Sequence, residues 1–213
     1  MKLIYIGDPM CSWCYGFGKS LAAALAALPG LELEIVVGGV RNRSTELLDE
    51  AGKQFRLAHW ERVKALSGLT FNRTAFLARE GFVYDTEPVC RAVVAARRLA
   101  GAEPLLSVFR ALQHAFYVDG RDTTDVLTLS EVAATALQAM QYPAATEAML
   151  ALMRDPAIID ETQAEIRRAR ALGARSFPTL LVDRGGALET VSGFLDAEAL
   201  IARLRELGAG SPH

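Results

Sequence analysis

Apolar residues recur along this chain in two patterns, one typical of strands and one of helices. The order of these segments predicts a mixed α/β protein. Residues 2–7 form a short apolar run typical of a buried strand, and residues 31–37 alternate before becoming apolar, which favours a second strand. Between them, apolar residues at helical spacing predict a helix from Cys14 that ends at Pro29-Gly30. A strand–helix–strand unit of this kind pairs its two strands in parallel.

A long helical block follows Gly38-Gly39 and extends to about residue 172. One or two helices are expected over roughly 44–66, where apolar positions recur at helical spacing. Proline and glycine residues separate the later helices of the block.

Strands return near the end of the chain, at 177–183 and 187–191. The glycine pair at 185–186 is typical of the turn that joins two strands into a hairpin. Asp196 can cap a last amphipathic helix, which is followed by an expected loose tail over 209–213.

This order of elements predicts a thioredoxin fold, β-α-β … α-β-β-α, that is interrupted by a large all-helical insertion. The expected thioredoxin-like domain consists of residues 1–40 and 156–213, and the helical insertion domain consists of residues 41–155. The sheet would hold two parallel strands from the N-terminal part and an antiparallel hairpin from the C-terminal part.

Composition narrows the class of function without naming one. The 213 residues are 51% hydrophobic and carry a net charge of −2, so a core is expected and a basic surface for nucleic acid is not. Apolar runs stay well below the roughly 18 residues of a membrane span, and the run over 3–6 is too short for a secretory leader. The protein is therefore expected in the cytoplasm, away from membranes, and nothing in the pattern locates an oligomer interface.

Candidate chemistry is concentrated in Cys11-Ser12-Trp13-Cys14, between the first strand and the first helix. Side chains at i and i+3 of a helix lie roughly 5–6 Å apart, so the two thiols can interconvert with a disulfide. A helix N-terminus also carries partial positive charge, which favours a thiolate on the first cysteine. A C-x-x-C motif beside a strand–helix–strand unit is typical of redox activity.

A zinc site and a structural disulfide are weaker interpretations of the cysteine pair. A disulfide that closes so short a loop would stabilise the fold little. A closed zinc site needs four ligands, and the remaining candidates, Cys90, His59, His114 and His213, have no recognisable spacing. No metal site is therefore expected, and no cofactor beyond the redox-active cysteine pair. Cys90 lies on an apolar helix stripe, which favours a buried structural thiol. His59 and His114 lie in amphipathic helices, where packing or surface roles are more common than catalysis.

Phe177-Pro178 stands where the order of elements places the strand that faces the cysteines. Thioredoxin-like dithiol sites usually have a proline there, preceded by a cis peptide bond, and X–Pro bonds are the ones in which cis is accessible. A cis bond between Phe177 and Pro178 is therefore predicted.

The segments 8–17 and 176–179, together with the helical insertion, resemble the DsbA family, most closely its FrnE-like and protein-disulfide-isomerase branches with a C-x-W-C-Y-G motif. The resemblance implies a thiol–disulfide oxidoreductase with Cys11 as exposed nucleophile, Cys14 as resolving thiol and Pro178 as the cis-proline. The remaining residues expected to line the site are Asp8, Pro9, Met10, Ser12, Trp13 and Phe177. A loop at 116–122 also resembles one of that branch and is a candidate for the substrate groove.

Two departures from the family pattern affect the expected chemistry. Periplasmic DsbA proteins carry a histidine where this chain has Trp13, and Trp supplies no positive charge. A less oxidising dithiol is therefore expected. Tyr5 occupies the position at which many thioredoxin-like proteins place a buried acid, and the nearby Asp8 is expected to cap the turn into the helix rather than transfer protons.

The sequence thus favours a protein-disulfide reductase or isomerase that acts through a mixed disulfide on a thiol- or disulfide-containing protein or small molecule, with glutathione as a redox partner. One alternative is a glutathione-dependent transferase or isomerase of the kappa class or the 2-hydroxychromene-2-carboxylate isomerase type. Those proteins usually have serine at the position of Cys11 and lack the second cysteine. The other alternative is a redox-inert binding or chaperone module.

Overall fold

A computed structural model describes residues 1–191 and 193–209 of the chain. The strands are β1 (Lys2–Gly7), β2 (Glu32–Val37), β3 (Thr179–Asp183) and β4 (Leu188–Val191). The helices are α1 (Ser12–Ala27), α2 (Glu50–Ser67), α3 (Arg73–Leu77), α4 (Glu87–Ala100), α5 (Leu105–Tyr117), α6 (Val126–Ala139), α7 (Thr146–Arg154), α8 (Pro156–Ala171) and α9 (Ala197–Ala209). Of the expected tail, Ala209 ends α9, while 210–213, including His213, lie outside the described residues.

The strands form one four-stranded sheet in the order β2-β1-β3-β4. Strand β1 pairs in parallel with β2 and antiparallel with β3, so that Tyr5 lies opposite Ile35 on one side and Leu180 on the other. Strands β3 and β4 form the antiparallel hairpin. This arrangement confirms the predicted thioredoxin fold with its helical insertion.

The first helix of the insertion begins later than its periodicity predicts. Helix α2 begins at Glu50 because Asp49 is its N-cap and accepts a hydrogen bond from the Gly52 amide. Residues 41–49 instead form turns and a single bridge between Leu47 and Val83. The predicted helical start near residue 44 is therefore wrong.

The central strand β1 is buried on both faces, since its side chains alternate between two apolar clusters. Leu3 and Tyr5 pack in the large cluster that includes α1, α4 and α5, whereas Ile4 and Ile6 pack in a smaller one with the α8 side. The main cluster continues without a break into the helices of the insertion. Among residues 1–191 and 193–209, no helix is both long and apolar enough to cross a membrane.

Candidate active site

The cysteine pair lies where the chain leaves β1 and enters α1. Cys11 occupies the N-cap position, and its backbone amide donates to the Asp8 carbonyl at 3.0 Å. Both cysteines carry free thiols. Cys14 is completely buried and Cys11 is 9% exposed, so the first sulfur is the more accessible one but is much less open than the expected exposed nucleophile.

The loop before β3 covers Cys11 from the opposite side. The Phe177–Pro178 peptide bond is cis, as the sequence predicts. Pairing of Ile6 with Thr179 brings this loop next to the end of β1. The Cys11 thiol lies 3.6 Å from the Phe177 carbonyl oxygen, within reach of a weak S–H hydrogen bond.

The second cysteine is held as a thiol. Burial, followed by its contact with Cys11, raises the pKa of Cys14 well above its ordinary value. Its sulfur accepts a hydrogen bond from the Asp8 backbone amide at 3.5 Å. The two cysteines therefore differ in access, and burial keeps Cys14 in its thiol form.

Asp8 is a completely buried acid that ties three segments together. One carboxylate oxygen accepts from the Met10 amide at 2.8 Å, and the other accepts from the Val40 amide at 2.7 Å. The Cys90 sulfur lies 3.7 Å from that second oxygen. Burial raises the pKa of Asp8. Asp8 thus fastens the turn into α1, as expected, and also anchors the chain after β2, which the sequence does not indicate.

Trp13 is held by the helical insertion. Its indole Nε1 donates to His59 Nδ1 at 3.0 Å, and the Arg62 guanidinium lies 5.7 Å from the indole ring. Phe194 packs edge-on against the other side at 5.6 Å. Burial and the charges of Arg62 and Arg56 lower the pKa of His59, which favours the neutral ring that can accept from Trp13.

An open cleft of about 340 Å³ lies beside the dithiol. Of the residues expected at the site, Trp13, Phe177 and Pro178 line this cleft. The remaining lining residues are Ser176, Thr179, Thr190, Val191, Gly193 and Phe194. Asp8, Pro9, Met10 and Ser12 are buried instead. The cleft is therefore built mainly by the cis-proline loop and the segment that follows β4.

The described residues, 1–191 and 193–209, contain no group of three or more His, Cys, Asp or Glu side chains arranged to hold a metal ion.

Neither a protein-family model nor a curated protein matches the chain. Among solved structures it is similar to a protein from Nitrosomonas europaea assigned as a protein disulfide isomerase, with 29% identity, a TM-score of 0.84 and 98% of each chain covered. It is also similar to the cytosolic disulfide reductase DsbM from Pseudomonas aeruginosa, with 27% identity, a TM-score of 0.80, and 98% of this chain and 99% of that chain covered. DsbM has also been solved with GSH.

A protein from Streptomyces coelicolor assigned as a DsbA oxidoreductase shares the fold, with 20% identity, a TM-score of 0.75, and 100% of this chain and 92% of that chain covered. The chain is a DsbA-like thioredoxin-fold protein. In this DsbA-like protein the two thiols and the cis-proline come from opposite ends of the sequence and meet at one end of the sheet.

The loop at 116–122 of this DsbA-like protein does not line the cleft. Tyr117 is completely buried at the end of α5, and the Arg79 guanidinium holds the carbonyls of Gly120 and Arg121 at 3.1 and 2.6 Å. His59 and Phe194 are the neighbours of the dithiol that sequence reasoning missed. Phe55, one turn before His59 on α2, is 65% exposed, so this helix face is not core, which the apolar spacing alone does not reveal.

Proposed function

We propose that the protein is a thiol–disulfide oxidoreductase in which Cys11 attacks the substrate and Cys14 resolves the intermediate. The observation that carries the proposal is the placement of Cys11 between the start of α1 and the cis Phe177–Pro178 loop, with an open cleft beside it. A thiolate at a helix N-terminus is the reactive form of such a pair.

The reaction consists of two exchanges. The Cys11 thiolate first attacks one sulfur of a substrate disulfide, so that a mixed disulfide forms and the other substrate sulfur leaves as a thiolate. The Cys14 thiol then gives its proton to the released thiolate and attacks the Cys11 sulfur. A Cys11–Cys14 disulfide forms, the second substrate sulfur leaves, and the substrate has gained two electrons.

The difference between the cysteines supports this order of events. Burial raises the pKa of Cys14, so this thiol stays protonated while Cys11 makes the first attack. Cys14 is completely buried, which keeps it from external disulfides but not from the sulfur of Cys11 one helical turn away.

We infer that the net direction is reduction, that glutathione regenerates the dithiol, and that the reaction takes place in the cytoplasm. Two molecules of the glutathione thiol would reduce the protein disulfide and leave as glutathione disulfide. The similarity to a cytosolic disulfide reductase that has been solved with GSH supports this choice. The open cleft beside Trp13 and Pro178 is where we expect a substrate disulfide to approach.

Reduction of insulin by glutathione tests the proposal, with wild type, Cys11→Ser, Cys14→Ser and Cys90→Ala compared at equal concentration. We expect Cys11→Ser to lose at least about 100-fold in rate, because the attacking thiolate is gone. Cys14→Ser should accumulate mixed disulfides that mass spectrometry detects. Cys90→Ala is the matched control, since it removes the third thiol, and it should keep the wild-type rate.

Equal rates for wild type and Cys11→Ser would contradict the oxidoreductase proposal and favour a redox-inert module. Glutathione conjugation that survives in Cys14→Ser would instead favour the transferase alternative.

A further inference from the structure

The backbone of Met10, the residue before Cys11, is held by buried side chains at both of its polar groups. Its amide donates to Asp8 at 2.8 Å. Its carbonyl oxygen accepts a hydrogen bond from the Tyr117 hydroxyl at 2.6 Å and another from the Tyr84 hydroxyl. Met10 itself is 1% exposed. A carbonyl has two lone pairs, so both hydroxyls can bind this oxygen at once.

Both tyrosines come from the helical insertion, and their rings are fixed independently of these hydrogen bonds. Tyr117 stacks on Tyr15, the residue after Cys14, with ring centroids 4.7 Å apart and planes 12° apart. Tyr84 lies beneath the Arg56 guanidinium at 4.2 Å. Tyr117 therefore contacts the chain on both sides of the cysteine pair.

The position of Cys11 depends on the backbone just before it. Cys11 is the N-cap of α1, and within the described residues its side chain makes no capping hydrogen bond. Directly before this position, the Cys11 amide donates to Asp8 and three bonds hold Met10, while Asp8 itself is held by the Val40 amide and the Cys14 sulfur.

We propose that Tyr84 and Tyr117 are positioning residues of the redox reaction. Their hydroxyls bind the Met10 carbonyl oxygen and so hold the Cys11 sulfur over the N-terminus of α1. The inference rests on the proposed function, because it concerns the reactivity of the same dithiol. Burial raises the pKa of both phenols, so each hydroxyl stays a donor at every pH at which thiol exchange is assayed.

The two hydroxyls donate to the same oxygen, so each can replace the other in this role. When one is removed, the other still satisfies the Met10 carbonyl, whereas removal of both leaves a buried acceptor without its donors. The effects of the two substitutions should therefore be strongly non-additive.

Tyr→Phe substitutions isolate the hydroxyls because the packed rings remain. We expect Tyr84→Phe and Tyr117→Phe each to change the rate of insulin reduction by about twofold or less, and the double variant to lose about tenfold. A less well held sulfur gains less from the α1 N-terminus, so the dithiol form loses stability. The equilibrium with glutathione should shift towards the protein disulfide by about tenfold in the double variant, which is ~30 mV.

Tyr142→Phe is the matched control, because Tyr142 is an insertion tyrosine whose hydroxyl donates to the Glu103 side chain at 2.6 Å. Rates and equilibrium constants are measured for the wild type, the two single variants, the double variant and this control, with circular dichroism to confirm folding. A double variant that folds and matches Tyr142→Phe in both quantities overturns the inference.

Wild type that fails to exchange with glutathione at all overturns the proposed function and this inference with it, so the two failures are distinguishable. If the double variant does not fold in buffer, both quantities are measured for it and for wild type in trimethylamine N-oxide, an osmolyte that stabilises folded proteins. Wild-type values for the double variant under these conditions would overturn the inference.

Discussion

The thioredoxin-like part and the helical insertion contribute different kinds of groups to the dithiol. The first supplies the two thiols and the cis-proline loop, within a short β-α-β and β-β framework. The second supplies side chains that act on neighbours of the cysteines: two tyrosines on the Met10 carbonyl and His59 on Trp13. The thiols therefore belong to one part, and side chains of the other part hold the residues next to them.

This difference explains how the surroundings of a C-x-x-C pair can vary while the motif itself stays the same. Trp13 cannot supply the positive charge that a histidine would supply at that position, but Arg62 and His59 on α2 lie against its ring. Cys11 is covered rather than open, because the Phe177 loop approaches it while the insertion fills the space behind Met10. Changes in the insertion are thus a route to changes in redox behaviour.

The largest expected effect comes from the seam between the two parts, which consists of the contacts of Glu165 with Val37 and Arg97. Glu165 on α8 is 7% exposed; it accepts from the Val37 amide at 2.8 Å and pairs with Arg97 on α4. Glu165→Ala leaves the Val37 amide without its acceptor and leaves the partly buried Arg97 guanidinium with only the Ile35 carbonyl, so we expect a loss of about 3–5 kcal/mol in the free energy of unfolding. Urea denaturation measures this loss.

The matched control lies one helical turn earlier, where Glu161 pairs with the exposed Arg98. Glu161→Ala should cost less than about 1 kcal/mol, because exposed ion pairs contribute little. Equal losses for the two variants would show that the Glu165 contacts contribute no more to the free energy of unfolding than an exposed ion pair does. Two separate unfolding transitions in Glu165→Ala would show that the two parts can unfold independently once it is broken.

A smaller effect is expected from Asp8→Asn. Asp8 offers one oxygen to Met10 and one to Val40, whereas asparagine has a single acceptor and places an NH₂ group against one backbone amide. We expect a loss of about 1–3 kcal/mol in the free energy of unfolding, the cost of an unsatisfied buried donor. Asp160→Asn, at an exposed acid on α8, is the control and should be close to neutral.

The pH dependence of stability gives Asp8 a second test. Because burial raises its folded-state pKa, the folded protein binds more protons than the unfolded chain between about pH 3.9 and that raised value. The contribution of Asp8 to stability is therefore full below this window and declines as pH rises through it. Asp8→Asn should remove this decline; an unchanged pH profile would mean that the group ionises as freely in the fold as in the unfolded chain.

Features encoded by neighbouring residues were predictable from the sequence, and those made by distant side chains were not. The C-x-x-C helix start, the parallel unit and the cis-proline each depend on short segments with known conformational preferences. The contacts of Trp13 with His59, and of Met10 with Tyr84 and Tyr117, join residues 46, 74 and 107 positions apart. Periodicity marks such residues only as parts of amphipathic helices, so their partners become visible only in the packed fold.

The predicted start of α2 near residue 44 was wrong for a different reason. The apolar positions at 47 and 48 extend the helical period of the sequence, which led to a predicted start near residue 44. Asp49 was an available N-cap signal, and its bond to the Gly52 amide is what begins the helix. Leu47 is 67% exposed, so the period at that point reflects chance spacing and not a buried face.

The smallest expected effect concerns His59 and its bond to Trp13. The folded-state pKa of His59 is lowered by burial and by the charges of Arg62 and Arg56, so its contribution to stability is fully present above about pH 6.5 and is lost as pH falls through the lowered value. Because the ring is partly exposed, we expect the change to stay below about 1 kcal/mol. Melting curves between pH 5 and 7.5 should show this slope in wild type and in the control His114→Gln. The slope should be absent in His59→Gln, whose side-chain oxygen can still accept from Trp13 at every pH. A slope that persists in His59→Gln would mean that a group other than His59 produces it.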